Sequence, residues 1–166
     1  MTMKLTNNDI KKIKEEIEYR KVDLRKELIE AVKEARAHGD LSENFEYHAA
    51  KREKNKNESR IRYLERVLKT SDVISDESKD DEVGIDNTVR IYFEDDEEEE
   101  TIKLVTTMRG DTLGGKLSIE SPIGKAILVH KVGDRVFVEL GDDGYYVQIM
   151  EIINTKDEES DVIRSY

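Results

Sequence analysis

Asp40 and Glu43, three residues apart in the segment AHGDLSENFEYHAA (37–50), are the side chains in this sequence best suited to chemistry. Exposed together they repel each other, yet their oxygens suit a hard divalent cation such as Mg²⁺, which keeps several waters and takes few protein ligands. Alone they would hold it weakly. If a partner macromolecule supplied further carboxylates and a first metal, the pair could complete a two-metal site and orient a water for phosphodiester hydrolysis. The stretch Asp40-Leu41-Ser42-Glu43 also matches a capping box, in which Asp40 accepts from the amide near Glu43 and Glu43 reaches back. The two readings are compatible. Tyr47 and His48 follow one turn later. A lone His on a helix more often packs or hydrogen-bonds than transfers protons, so it is assigned no catalysis.

A helical hairpin must position the two acids. From Asn8 to Arg36 the apolar residues Ile10, Ile13, Ile17, Leu24, Leu28, Val32 and Ala35 recur at spacings of mostly three, four and seven, the stripe of a coiled-coil seam. Gly39 follows, the residue that tolerates positive φ beyond a helix end. A second run, Leu41 to Thr70, carries Phe45, Ala49, Ala50, Ile61, Leu64 and Leu68 without Gly or Pro. Two such helices with so short a connection fold back antiparallel and bury their seams on each other. Arms of about 28 residues would each be on the order of 40 Å long, with the acids at the tip. Phe45 and Tyr47 are expected to stiffen that end by packing across the seam.

Composition supports an extended helical element beside a small globular one. The 166 residues are 36% hydrophobic and 40% charged, with no Trp. No Cys is present, which excludes disulfides and thiolate metal sites and fits a reducing cytoplasm. The amino end lacks the apolar stretch of a signal peptide and no run reaches membrane-spanning length, so a soluble cytoplasmic protein is expected. Charge is uneven. Residues 1–72 hold 18 Lys and Arg against 15 Asp and Glu, while residues 73–166 hold 10 against 24. The acidic half would be repelled by phosphate, which disfavours wrapping of duplex nucleic acid by the whole surface.

Residues 71–87, SDVISDESKDDEVGIDN, read as a linker, so the expected organisation is a hairpin over 1–72, a linker over 73–87 and a domain over 88–166. In that domain TVRIYF (88–93), TIKLVT (101–106), KLSIE (116–120), RVFVEL (135–140) and YYVQIMEII (145–153) read as strands. The acidic run 94–100 is expected as a solvated turn, and residues 156–166 as a frayed tail. A short helix is expected within 121–134, with Ser121 as cap and Pro122 at its first position. The fold class is therefore α+β, a long antiparallel coiled-coil hairpin followed by a small domain with a mostly antiparallel sheet.

The run EARAHGDLSENFEYHAAKREKN, with SIESPIGKAILVHKVGD in the second domain, resembles the bacterial Gre transcript-cleavage (transcription elongation) factors, in their GreA-like form. The resemblance covers nearly the whole chain. Its specific parts are Gly39 to Ala50 and the Ser121-Pro122-Ile123-Gly124 segment. It implies a hairpin that enters the secondary channel of RNA polymerase, where Asp40 and Glu43 would help hold a second Mg²⁺ and assist water attack on backtracked RNA. The nuclease site would belong to the polymerase, so the chain itself would be no enzyme and would hold no cofactor tightly alone. It further implies an FKBP-like second domain docking at the channel entrance, with Ser121, Pro122 and Gly124 as docking candidates. Prolyl isomerase activity is not expected, because Tyr92, Phe93, Phe137, Tyr145 and Tyr146 are the domain's few internal aromatics.

Lys51, Arg52, Lys54, Lys56, Arg60 and Arg62 make the second helix locally basic. The resemblance points to Arg52, Lys56 and Arg60 as contacts to the RNA 3′ end; a solvated helix face paired with Glu53 and Glu58 explains the same residues. Two other functions stand beside cleavage stimulation by a monomer: a channel-binding inhibitor, and a structural adaptor whose tip acids only cap a helix. Inhibitory relatives carry extra acids at the tip, whereas here Asn44 separates Glu43 from Phe45.

Overall fold

The computed structural model describes residues 2–39 and 43–165. They form two compact units, Ile10–Ser71 and a second made of the first nine residues with those from Asp72 onward. Strand β1 (Lys4–Leu5) leads into helix α1 (Asn7–Tyr19), which passes through a π-helical turn at Arg20–Leu24 into helix α2 (Arg25–Arg36). Helix α3 (Phe45–Thr70) returns to strand β2 (Asp72–Val73), which pairs in parallel with β1. Helix α1 starts with a reciprocal capping pair: the Thr6 amide donates to Asp9 Oδ2 at 2.9 Å, and the Asp9 amide donates to Thr6 Oγ1 at 3.3 Å.

In the helical unit α2 packs along α3, and every expected seam residue of the first arm is buried or half-buried. The second arm uses a different face from the one its apolar residues suggest. Ile61, Leu64 and Val67 are buried, but Phe45 is 85% exposed and Ala49 is exposed as well. Counting back from Ile61 in steps of four and three gives Asn57, Lys54, Ala50 and Tyr47, so the seam continues through polar positions and leaves Phe45 on the opposite side. Asn57, only 2% exposed, makes the polar stretch workable. Its Nδ2 donates to the Arg20 carbonyl at 3.1 Å and its Oδ1 accepts from Arg20 Nη1 at 3.0 Å. The contact sits where the π-helical turn begins, and a buried side-chain pair of this kind specifies one register between helices. Glu16 adds a second tie by accepting from both Arg20 (2.8 Å) and Arg60 (2.9 Å). Burial pushes the Glu16 carboxyl up, but the hydrogen bonds from Arg60 and Arg20 outweigh it and hold the group below its ordinary value.

The second unit is built on a five-stranded sheet. Its strands are β3 (Thr88–Phe93), β4 (Glu98–Val105), β5 (Lys116–Ser118), β6 (Arg135–Leu140) and β7 (Asp143–Ile153), and helix α4 (Pro122–Ile127) lies between β5 and β6 in sequence. The spatial order is β5-β4-β3-β7-β6, antiparallel except for the β4/β5 pair. Alternation places Val89 and Ile91 of β3 in one core with Ile102, Leu104, Ile127, Val138, Val147 and Ile149. The expected α+β class with a mostly antiparallel sheet is what the chain forms.

Three segments differ from expectation. The acidic run 94–100 is only half a turn, because Glu98, Glu99 and Glu100 extend β4 opposite Phe93, Tyr92 and Ile91. The stretch 73–87 packs against the sheet, with Val83 fully buried and Asp86 and Asn87 buried beside it. The expected frayed tail is held down. Asp161, 1% exposed, accepts from Lys103 (2.5 Å) and Lys116 (2.9 Å), and the Arg164 amide donates to the Met108 carbonyl.

Burial pushes the Asp161 carboxyl up, but hydrogen bonds from Lys103 and Lys116 override this and hold it far below the usual carboxylate range. A depressed carboxylate contributes stability above its unfolded pKa, near 4, and loses it as pH falls through its folded value. Asp161→Asn therefore lowers the melting temperature at pH 7, and its deficit against the wild-type protein shrinks below about pH 4. Thermal melts of both proteins across that range give the answer; a deficit independent of pH would remove the charge from the explanation.

Candidate hairpin-tip site

Helix α2 ends at Arg36, and the Ala37 amide donates to the Lys33 and Glu34 carbonyls. Gly39 follows at φ +138°, a conformation that side chains strain to adopt. Asp40 lies outside the described residues, as do Leu41 and Ser42. Glu43 is described, exposed, and lines a shallow concavity with His38, Asn44, Phe45 and Glu46.

The expected capping box does not start the second helix. Helix α3 begins at Phe45, and its cap is Asn44, whose Oδ1 accepts from the Tyr47 amide at 3.0 Å. The Asn44 Nδ2 donates backward to the Ala35 carbonyl at 2.6 Å, so one side chain caps α3 and ties it to the last turn of α2. Glu43 therefore precedes the helix and is not used in its first turn. Among the described residues, no group donates a hydrogen bond to its carboxylate. The sequence carried a signal for Asn44, since Asn is among the best N-caps, but the Asp-x-x-Glu pattern four residues earlier competes with it.

Around this turn the side chains form small exposed pairs. His38 Nδ1 lies 3.0 Å from Glu46 Oε2, and that hydrogen bond raises the imidazole above its ordinary value. Arg36 and Lys51 sit over the Tyr47 ring at 5.6 and 5.9 Å from its centroid, and a hydrogen bond from Arg36, with the charge of Lys51 beside it, pulls the phenol's pKa down. His48 stands edge-on to Tyr47 at 5.5 Å. Tyr47 thus faces α2, while Phe45, expected to pack across the seam, points away from it. The physical cause is phase: two residues apart on a helix is about 200°, nearly the opposite side.

Further along α3, Arg52 and Lys56 are exposed and share a shallow groove with Glu53, Asn55 and Ser59, and Lys56 Nζ lies 3.6 Å from Glu53 Oε1 in an exposed pair. Arg60 is turned inward, its side chain 9% exposed, on Glu16 and over the Tyr63 ring. In the second unit Ser121 Oγ accepts from the Gly124 amide at 3.0 Å and donates to the Ser118 carbonyl at 2.6 Å, and Pro122 is the first residue of α4. Gly124 is buried, where a Cβ would run into the Ser118 and Ile119 backbone. Pro122 alone of the three is exposed, lining a groove with Lys125, Phe137 and Glu139. Among the described residues no three His, Cys, Asp or Glu side chains come together as a metal site, and no helix is long and apolar enough to cross a membrane.

The family described as transcription elongation factor, N-terminal, matches residues 3–73, and the GreA/GreB C-terminal family matches residues 77–154. The chain belongs to the GreA/GreB transcription elongation factor family. It is 46% identical over 149 residues to the transcription elongation factor GreA of Thermoanaerobacter pseudethanolicus, covering 89% of this chain and 95% of that one. The GreA of Thermotoga neapolitana is 40% identical over 152 residues, covering 92% and 97%. A crystal structure of GreA factor homolog 1 from Thermus thermophilus is 24% identical, with a TM-score of 0.43, covering 92% of this chain and 99% of that one. Within the family frame, Asn44 is what the tip motif contributes to folding, and Glu43 is what it leaves exposed.

The cap sets a measurable expectation. Asn44→Ala removes the acceptor for the Tyr47 amide and the donor to Ala35, costing about 1 kcal/mol of local stability. Amide exchange at the first turn of α3 should accelerate about fivefold while the sheet unit is unaffected. Equal protection in both proteins would show that the tip is held by something else.

Proposed function

We propose that this protein acts in the cytoplasm as a monomer that enters the secondary channel of RNA polymerase with its hairpin tip and stimulates the polymerase's own cleavage of backtracked RNA. The observation that carries the reading is Glu43, an exposed carboxylate in a family-specific motif, released from helix capping by Asn44. Asp40 is proposed as its partner. A hard oxygen donor set of one or two carboxylates is what Mg²⁺ accepts when substrate phosphates and other ligands complete its shell. The fit is thus to a shared ion, with most ligands supplied by the polymerase. When bound there, Mg²⁺ would lower the pKa of a bound water and neutralise charge on the phosphoryl oxygens.

The chain's own residues do the rest. Glu43 and Asp40 would hold the ion and would accept hydrogen bonds from the attacking water, fixing its direction. Asn44 fixes where the chain enters α3, which sets the position of Glu43 just before it. Arg52 and Lys56 are proposed to attract the extruded RNA 3′ segment through its phosphates, with Arg60 set deeper beside Glu16. The groove beside Pro122 is proposed as the docking face, with Ser121 and Gly124 shaping α4 beneath it.

Stalled, backtracked elongation complexes test the proposal. Added protein should release short 3′ RNA fragments in a Mg²⁺-dependent way, and the Asp40→Asn, Glu43→Gln variant should not. Slower elongation with no fragment release would instead make the chain a channel-binding inhibitor. No effect on the complexes at all would leave the adaptor reading.

A further inference from the structure

Phe45 is the first residue of α3 and is 85% exposed, next in sequence to the Asn44 cap and two residues from Glu43. Among the described residues no apolar side chain covers it. The seam of α3 passes through Ile61, Asn57 and Ala50, whereas steps of seven, four and three from Phe45 lead to Arg52, Lys56 and Ser59, all exposed. Phe45 therefore heads a solvent-facing stripe. Arg52 stands about 10 Å further along the helix and Lys56 about 6 Å beyond that, at 1.5 Å per residue.

An aromatic face followed by cations on one track is the arrangement that binds single-stranded nucleic acid, with bases stacked on the ring and phosphates at the charges. An apolar protein pocket is the other conceivable occupant, but the ring is flanked by Glu43 and Glu46, both exposed, which such a pocket would have to desolvate. We propose that Phe45 is a stacking platform for an unpaired base of the RNA, with Arg52 and Lys56 holding the adjoining phosphates. This rests on the proposed cleavage role and adds to it a positioning residue that acts on the base, independent of the charge of Glu43. Stacking would hold the backtracked strand in register while the carboxylates address its backbone.

The test uses full-length protein on backtracked complexes whose RNA carries either an ordinary 3′-terminal base or an abasic nucleotide. Phe45→Ala should slow cleavage between about 5-fold and about 150-fold on the ordinary RNA and leave the abasic RNA unchanged, with Phe45→Trp close to wild type. Melting temperatures should agree among the three proteins. In the Glu43→Gln background, a 4-thiouridine at the RNA 3′ end should crosslink to α3, and the crosslink should vanish with Phe45→Ala. Full rescue by Phe45→Leu would assign the position to an apolar protein pocket and overturn stacking. Equal slowing on abasic RNA would overturn it as well. A wild-type protein that releases RNA normally beside an equally active Phe45→Ala overturns this inference alone, whereas a wild-type protein that releases none overturns the cleavage reading and this inference with it.

Discussion

Asp40→Asn combined with Glu43→Gln reduces RNA release from backtracked complexes by about 10²-fold or more, with the melting temperature unchanged. The magnitude follows from the role: even residues that only support a metal's direct ligands cost 10- to 100-fold when removed, and these two are proposed to touch the ion itself. The amides keep hydrogen-bonding capacity and volume but lose the negative charge that attracts Mg²⁺. Stability is spared at Glu43 because it is exposed, precedes α3, and leaves the capping of that helix to Asn44. Raising Mg²⁺ should recover part of the rate, as weakened ion binding is offset by mass action. Binding to polymerase, read by competition with the wild-type protein, should persist. Release at the wild-type rate from the double variant would end the tip-acid reading.

Arg109→Leu gives the largest loss of stability expected anywhere in the chain. Arg109 is 1% exposed, and its guanidinium bonds Asp9 at 2.5 Å, Asp86, and Asp157 at 3.5 Å. Asp9 also accepts from Thr106 Oγ1 at 2.7 Å and from the Thr6 amide, so one cation joins the start of α1, the turn before β3 and the segment after β7. Removing one member of a buried ion network leaves the others charged and dry, which costs about 3–5 kcal/mol, or roughly 10 °C or more in melting temperature. Burial pushes the Asp86 carboxyl up even against Arg109's opposing hydrogen bond, and without Arg109 it rises further. An acid whose folded pKa is raised contributes stability below its unfolded pKa and loses it as pH rises through the folded value. The variant's deficit should therefore be greater at pH 7 than at pH 5. Melts at the two pH values decide it; Arg109→Leu with Asp9→Asn and Asp86→Asn should regain part of the loss. A deficit that is small and flat with pH would mean that the network is solvated.

Much of this molecule was legible before any coordinates. The 3.5-like spacing of Ile10, Ile13, Ile17, Leu24, Leu28, Val32 and Ala35 named the buried stripe of the first arm, and alternation named β3 and β6 to the residue. Ser121 and Pro122 opened α4 as their capping chemistry requires. The start of the second helix was not legible in the same way. Two caps, Asp40 and Asn44, lie one turn apart, and local preference separates them by less than the roughly 1 kcal/mol that a cap is worth. The bond from Asn44 to the Ala35 carbonyl decides between them, and it exists only once α2 and α3 are side by side. The same dependence hid Arg60's inward turn to Glu16, forty-four residues away, and the burial of Asp161 against Lys103 and Lys116.

Periodicity and residue type, which neighbours along the chain supply, determined the helices, the strands and which acids could do chemistry. Tertiary structure alone decided which face α3 buries, leaving Phe45 outside and Asn57 within, and which of the tip's polar groups serve the fold. The reason is range. Backbone preference acts over a few residues, whereas burial, ion pairing and register are set by partners tens of residues distant, and those partners free Glu43 by giving the cap to Asn44.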